Sequence, residues 1–137
     1  MINTIPSEFD KSWETCSEYQ FYDYNDPINI KEKYHGVFDL IVIDPPFISK
    51  SVWEQYAATA KLLMKKNHAE YSTTASHVIA TTVDENKDLM EDLFGCKPVS
   101  FRPSIPHLVY QYSVYTNFAS SVLANDNPEL EEQSWGW

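Results

Sequence analysis

The sequence predicts an α/β fold with a mostly parallel sheet and a C-terminal antiparallel hairpin. Two apolar runs, residues 37–43 and 77–82, do not alternate with polar residues, which is typical of strands buried on both faces of a parallel sheet. A segment with apolar residues at helical spacing, residues 51–66, separates these runs. Because strands that alternate with helices usually lie in parallel sheets, the three observations together predict this fold class.

The first half of the chain is predicted to hold two strands. Residues 19–22 (YQFY) are aromatic and β-prone, and the turn-rich group DYNDP follows them. Residues 28–35 are polar and predict a connection that includes a helical turn. The strand of residues 37–43 then ends abruptly in the sequence DPPF.

The second half continues the alternation of helices and strands. In residues 51–66 the lysines gather in the last turn, where they suit the negative end of the helix dipole. Residues 84–94 predict a helix with an acidic start, which Gly95 closes as a C-cap. Two β-rich runs, residues 98–102 and 108–118, are joined by the short connection PSIPH and should therefore be antiparallel to each other.

Length and charge limit the domain organisation and the partners. The 137 residues suit a single domain, which we assign to residues 1–120, followed by a flexible acidic tail, residues 121–137. The formal net charge of −10 argues against tight binding to nucleic acid, whose phosphates need Lys and Arg. The same charge is compatible with a basic protein partner.

Composition also favours a cytoplasmic protein and argues against a membrane partner and a metal site. No apolar run approaches the roughly 20 residues that span a bilayer, and the N-terminus lacks the pattern of a secretory signal, so no membrane partner is expected. Cys16 and Cys96 show neither a CxxC pattern nor metal spacing and predict reduced thiols in a cytoplasmic protein. The histidines do not cluster at metal-binding spacing, so no metal site is predicted.

The DPPF sequence, Asp44, Pro45, Pro46 and Phe47, follows a predicted parallel strand at the edge where α/β proteins bind ligands. The two prolines restrict φ and lack an N–H, so the loop is stiff and its carbonyls have no local donors. An amine could donate to Asp44 and to a proline carbonyl, while Phe47 contacts a flat base or an alkyl-ammonium chain. The alternative is a turn that ends the strand and starts a helix. In this context we interpret DPPF as an amine site.

At this motif the chain resembles a known family. The pattern Asp/Asn-Pro-Pro-Phe/Tyr/Trp is typical of methyltransferases that use S-adenosylmethionine and methylate amino groups. EFDKSW, FYDYNDPINI and FDLIVIDPPFIS, followed by a helix, a strand and a hairpin, resemble the eukaryotic lysine methyltransferases of translation elongation factor one-alpha, formerly described as adenine-specific DNA methyltransferases. The resemblance extends from about Ser7 to Phe118. It implies a Rossmann-like class I methyltransferase sheet and S-adenosylmethionine as cofactor.

The resemblance also implies roles for single residues. The four residues of DPPF would bind the target amine. Asp23, in FYDYN, would lie near the adenine of the cofactor, and Glu8 or Asp10, in EFD, would bind its ribose hydroxyls. The alternatives remain that Asp23 caps the turn at DYNDP and that the two acids of EFD are exposed loop residues. Asp39, at the start of its strand, is interpreted as structural.

The family begins earlier than this chain does. Its N-terminal helical portion and its first strand have no counterpart before MINTIPSEFD, and no glycine-rich loop follows a strand. We therefore expect the first strand and this loop to be absent, and the sheet to have a free edge through which the chain could self-associate. We also expect these residues alone to bind S-adenosylmethionine weakly or not at all. A fragment, an incomplete gene model and a shortened relative all remain open.

Three functions are compatible with the sequence. The resemblance implies methyl transfer from S-adenosylmethionine to a lysine of elongation factor one-alpha, with Asp44 orienting the amine. The second function is the same chemistry on adenine in nucleic acid, against which the net charge argues. The third is a catalytically inactive, methyltransferase-like binding module, which the missing glycine-rich loop favours.

Overall fold

The computed structural model describes residues 19–65 and 76–130, together with the backbone of residues 7–8. The strands in chain order are β1 (Ser7–Glu8), β2 (Gln20–Phe21), β3 (Leu40–Ile43), β4 (His77–Val83), β5 (Lys97–Pro98) and β6 (Tyr112–Thr116). The helices are α1 (Lys50–Leu63) and α2 (Lys87–Phe94), and short 3-10 helices cover Glu32–Tyr34 and Asp84–Asn86. β1 and β2 form a two-stranded sheet, and a four-stranded sheet has the spatial order β3-β4-β6-β5.

The predicted parallel pair with its crossover helix is confirmed. β3 and β4 are parallel, from Leu40 opposite His77 to Ile43 opposite Ala80, and α1 connects them. β3 is shorter than predicted because the residues before it pair elsewhere. The Phe38 amide donates to the Leu63 carbonyl at the end of α1, at 3.1 Å.

The predicted C-terminal antiparallel hairpin is also present. β6 is antiparallel to both β4 and β5, so the four-stranded sheet combines parallel and antiparallel pairs. Both hairpin strands are shorter than predicted. Pro103 and Pro106 lie in the connection between them and have no N–H to donate to a neighbouring strand.

The core lies where α1 and α2 contact the four-stranded sheet. Its buried members are Ile43, Trp53, Ala60, Val78, Ala80, Met90, Cys96 and Tyr115. Burial raises the pKa of the Cys96 thiol to about 11, so this thiol stays protonated at neutral pH. Since the thiolate is the reactive form, Cys96 is unsuited to nucleophilic chemistry. Cys16 lies outside the described residues.

The segment after residue 120 differs in part from the expected flexible tail. The Phe101 amide donates to the Leu123 carbonyl at 3.0 Å. Asn127 is buried, and its side-chain amide donates to the Arg102 carbonyl at 2.8 Å. These hydrogen bonds hold residues 123–127 against a segment whose backbone groups lack a strand partner. Residues 131–137 lie outside the described part of the chain.

β3 lies at one edge of the four-stranded sheet. Leu40 and Val42 on this strand are 50% and 65% exposed. An apolar edge of this kind is where another strand can pair. The predicted self-association of the chain at this edge stays a prediction. In the described ranges, no helix has the length and apolar character needed to cross a membrane.

Gly95 ends α2 as predicted. Its φ is +65°, and its amide donates to the carbonyls of Glu91 and Met90. A Cβ at this position would meet nothing within 4 Å, so an added side chain strains only the backbone.

We expect Gly95→Ala to lower the free energy of unfolding by about 1–2 kcal/mol, the cost of a left-handed conformation for an alanine. Gly95→Asn should cost less, because asparagine tolerates this conformation at helix ends. Urea unfolding of the three proteins measures both differences. Equal stability of the alanine variant and the wild type would contradict the assigned C-cap.

Candidate functional site

The DPPF loop connects β3 to α1. Ile43, the last residue of β3, is buried, whereas Asp44 immediately after it is exposed. The loop ends at Ser49, the N-cap of α1, whose carbonyl accepts a hydrogen bond from the Trp53 amide at 3.1 Å. The loop therefore ends a strand and starts a helix, as the alternative to an amine site predicted. It also lies at the edge of the sheet where α/β proteins bind ligands.

Residues at the end of β4 hold this loop at two points. The Thr81 hydroxyl donates to Oδ1 of Asp44 at 2.7 Å. The side-chain amide of Asn86 donates to the Ile48 carbonyl and to the Thr82 hydroxyl, both at 2.9 Å. Oδ2 of Asp44 accepts no hydrogen bond from residues 19–65 or 76–130. The loop thus presents a carboxylate of which Thr81 bonds one oxygen, while the other has no partner among the described residues.

Phe47 belongs to a group of aromatic rings that the sequence alone did not identify. It is 54% exposed, and its ring contacts Tyr24 edge to face, with centroids 6.2 Å apart. Tyr24 in turn stacks on Tyr56 at 6.1 Å, and Tyr22 contacts Tyr56 at 5.3 Å. The aromatic residues of FYDYN are visible in the sequence and could have indicated this group. Their proximity to DPPF, however, depends on the position of α1.

Asp23 caps the turn at DYNDP, as the alternative interpretation had it. Its Oδ1 accepts hydrogen bonds from the backbone amide of Asn25 at 2.9 Å and from the Asn25 side chain at 3.1 Å. Such local bonds are typical of aspartate in turns. The turn also places Tyr24, the next residue, against the ring of Phe47.

Asp23 also lines a pocket of about 460 Å³, a volume that is typical of small-molecule sites. Its lining residues are Gln20, Phe21, Asp23, Asp26, Asn29, Ile30, Lys31 and Glu32. None of them belongs to DPPF, so the pocket and the candidate amine site are separate features. The backbone of Glu8 pairs with that of Phe21, which lines the pocket, whereas Asp10 lies outside the described residues.

Asp84, the first residue after β4, is fully hydrogen-bonded within the protein. Its two carboxylate oxygens accept hydrogen bonds from Arg102 at 2.9 Å and from the Ser113 hydroxyl at 2.6 Å. Burial, reinforced by the nearby charge of Asp84, raises the pKa of Tyr115 to about 12, and its hydroxyl donates to the Val83 carbonyl. Both oxygens of Asp84 therefore accept hydrogen bonds, whereas only Oδ1 of Asp44 does so among the described residues.

Two further observations limit the chemistry of the site. Asp39, at the opposite end of β3, forms an exposed ion pair with Lys65 at 2.9 Å, in agreement with its predicted structural role. In the described parts of the chain, no three His, Cys, Asp or Glu side chains are grouped so that they could hold a metal ion.

Similar proteins are named as lysine methyltransferases. A protein-lysine N-methyltransferase of Dictyostelium discoideum is 30% identical over 131 residues, which cover 93% of this chain and 58% of that protein. The protein-lysine N-methyltransferase EFM5 of Saccharomyces cerevisiae is 26% identical, with 87% and 54% covered. The human EEF1A lysine methyltransferase 1 is 26% identical, with 84% and 50% covered.

The chain therefore spans about half the length of these curated relatives. No solved structure matches it. The family model described as probable N6-adenine methyltransferase matches residues 2–120, most of the domain predicted from the sequence. The chain belongs to this methyltransferase family.

Proposed function

We propose that this chain is an S-adenosylmethionine-dependent protein-lysine N-methyltransferase that acts on translation elongation factor one-alpha. One observation carries the proposal: Asp44 is exposed at the carboxyl end of β3, with one oxygen held by Thr81 and the other available to an amine. The names of the similar proteins support lysine as the acceptor and this factor as the substrate.

Asp44, Pro45, Pro46 and Phe47 have complementary chemistry for a lysine side chain. The second oxygen of Asp44 and the carbonyls of Pro45 and Pro46 receive no hydrogen bond from the described residues, so they can accept hydrogen bonds from the amine. The exposed ring of Phe47, supported by Tyr24, contacts the alkyl-ammonium chain. Holding the nitrogen in one orientation is the main contribution that such a site can make to a displacement reaction.

We propose that the cofactor's adenosine binds in the pocket at the end of β2. The pocket offers carboxylates for hydroxyl and amino groups, from Asp23 and Asp26, and apolar surface from Phe21 and Ile30. Carboxylates beside apolar surface are the chemistry that adenosine needs, and the resemblance assigns the ribose hydroxyls to Glu8 or Asp10. S-adenosylmethionine would supply the methyl group.

Adenine in nucleic acid is the second candidate substrate. The description of the matching family favours it, and the exposed ring of Phe47 could stack on a flipped base. The net charge of −10 opposes it, since an enzyme that flips a base needs cations for the surrounding phosphates. We therefore place lysine first and assign the reaction to the cytoplasm, in line with the predicted reduced cysteines.

A labelled methyl-transfer assay distinguishes the two substrates. The full-length protein, by which we mean the longest native product that includes these residues, is incubated with methyl-labelled S-adenosylmethionine and, in parallel, with purified elongation factor one-alpha or adenine-containing DNA and RNA. We expect label in the protein alone, on a lysine side chain located by mass spectrometry. Label in the nucleic acid alone would transfer the proposal to the second substrate.

Calorimetry with S-adenosylmethionine tests the third candidate, an inactive binding module. We expect the 137-residue chain to bind the cofactor weakly or not at all, because no glycine-rich loop that could hold the methionine half follows a strand in its sequence. The full-length protein should bind it. Low-micromolar binding by the chain alone would contradict this expectation, and no binding by the full-length protein would favour the inactive module.

A further inference from the structure

Among the described residues, Thr81 forms the side-chain hydrogen bond to Asp44. In the parallel register Ile43 lies opposite Ala80, so Asp44 and Thr81 are the next residues of their two strands. The Thr81 hydroxyl lies 2.7 Å from Oδ1 of Asp44. This distance is typical of a hydroxyl that donates to a carboxylate oxygen.

The two side chains differ in how firmly their own backbone holds them. Asp44 is exposed and follows the last residue of β3, so little packing restricts its rotamer. Thr81 is half-buried within β4, which is bonded on both sides by β3 and β6. Its β-branched side chain restricts χ1 in a strand. Because Thr81 is held within β4, its hydrogen bond restricts the rotamers of the Asp44 carboxylate.

We infer that Thr81 is a positioning residue for the amine site, an inference that rests on the proposed function. It donates to Oδ1 and keeps the carboxylate in the rotamer in which Oδ2 faces the substrate nitrogen. Thr81 does not touch the substrate. Its contribution is to select one orientation of Asp44, because a misplaced acceptor misaligns the attacking lone pair.

Two substitutions separate the hydroxyl from the shape of the side chain. Thr81→Val removes the donor and keeps the branched side chain, whereas Thr81→Ser keeps the donor. In the full-length enzyme we expect Thr81→Val to lower kcat for methyl transfer by about 10- to 100-fold, the range caused by misplacing a catalytic group. The KM for S-adenosylmethionine should stay unchanged, and Thr81→Ser should restore most of the rate.

A second measurement needs no activity. Three-bond couplings between Hα and Hβ of Asp44, measured by NMR on the 137-residue chain, report whether its side chain occupies one rotamer. We expect one rotamer in the wild type and in Thr81→Ser, and averaged couplings in Thr81→Val. A merely structural role of Thr81 would leave the couplings of Asp44 unchanged.

Asp44→Ala, assayed beside these variants, separates the two claims. If Asp44→Ala is inactive while Thr81→Val keeps the wild-type rate and a single Asp44 rotamer, the positioning role is wrong and the proposed function stands. If the wild type transfers no methyl group to lysine, or Asp44→Ala transfers it at the wild-type rate, the proposed function fails and the positioning role fails with it.

Discussion

Asp44→Ala is expected to lower the rate of methyl transfer to lysine by about 10²–10³, the loss typical of a positioned polar group that acts on the reacting centre. The affinity for S-adenosylmethionine should stay nearly the same. The physical reason is a division of roles between strand ends. Asp44 lies after β3, whereas the pocket assigned to the adenosine lies at the end of β2 and does not include Asp44.

The measurement pairs a labelled transfer assay on elongation factor one-alpha with a calorimetric titration of the cofactor, both on the full-length protein. Asp39→Ala is the matched control, since it removes an exposed acid from the other end of the same strand. Its ion pair with Lys65 is exposed and should contribute at most about 1 kcal/mol to stability, with no effect on transfer. A main defect in cofactor binding would show that Asp44 is not the amine acceptor.

Phe47→Ala is the milder change in the same loop. Loss of a cation–π contact should weaken the handling of the lysine substrate by about 0.5–2 kcal/mol. The effect should appear in the KM for the protein substrate. The ring helps to bind the alkyl-ammonium chain, whereas Asp44 orients the reacting nitrogen. If Phe47→Ala abolished transfer as completely as Asp44→Ala, the minor role assigned to Phe47 would be wrong.

The second large effect concerns stability. Trp53 is fully buried between the sheet and α2, and its ring contacts Phe94 edge to face at 5.9 Å. We expect Trp53→Ala to lower the free energy of unfolding by about 3–5 kcal/mol, because a large cavity replaces the ring. This is a large part of the 5–15 kcal/mol that typically stabilises a small domain.

Trp53→Phe tests whether the effect comes from packing. The indole N–H finds no acceptor among the described residues, so its removal breaks no hydrogen bond that the structure shows. This variant should therefore keep most of the stability. Tyr110→Ala removes an aromatic ring that is 58% exposed and should change stability by less than about 0.5 kcal/mol. Chemical denaturation of the variants measures these differences, and equal losses in Trp53→Ala and Tyr110→Ala would contradict the assigned core.

Local sequence patterns were sufficient for the central part of the fold. The non-alternating runs predicted β3 and β4, the helical spacing between them predicted α1, and Gly95 predicted the end of α2. β3 and β4 form where local β-propensity predicts strands, but the predicted burial on both faces is wrong for β3, because Leu40 and Val42 are exposed on one face of the sheet. The DPPF motif likewise predicts the candidate amine site from the sequence alone.

The partners of each site residue depended on contacts between distant segments. Thr81 meets Asp44 across 37 positions of the chain, and Tyr24 meets Phe47 only because both lie beside α1. The acidic stretch after residue 120 was predicted to be flexible from its composition, yet Asn127 is buried against Arg102. Register and packing, which no local pattern encodes, bring these groups together. The motif therefore predicts the candidate acid, while the tertiary structure shows that Thr81 bonds one of its oxygens and that no described residue bonds the other.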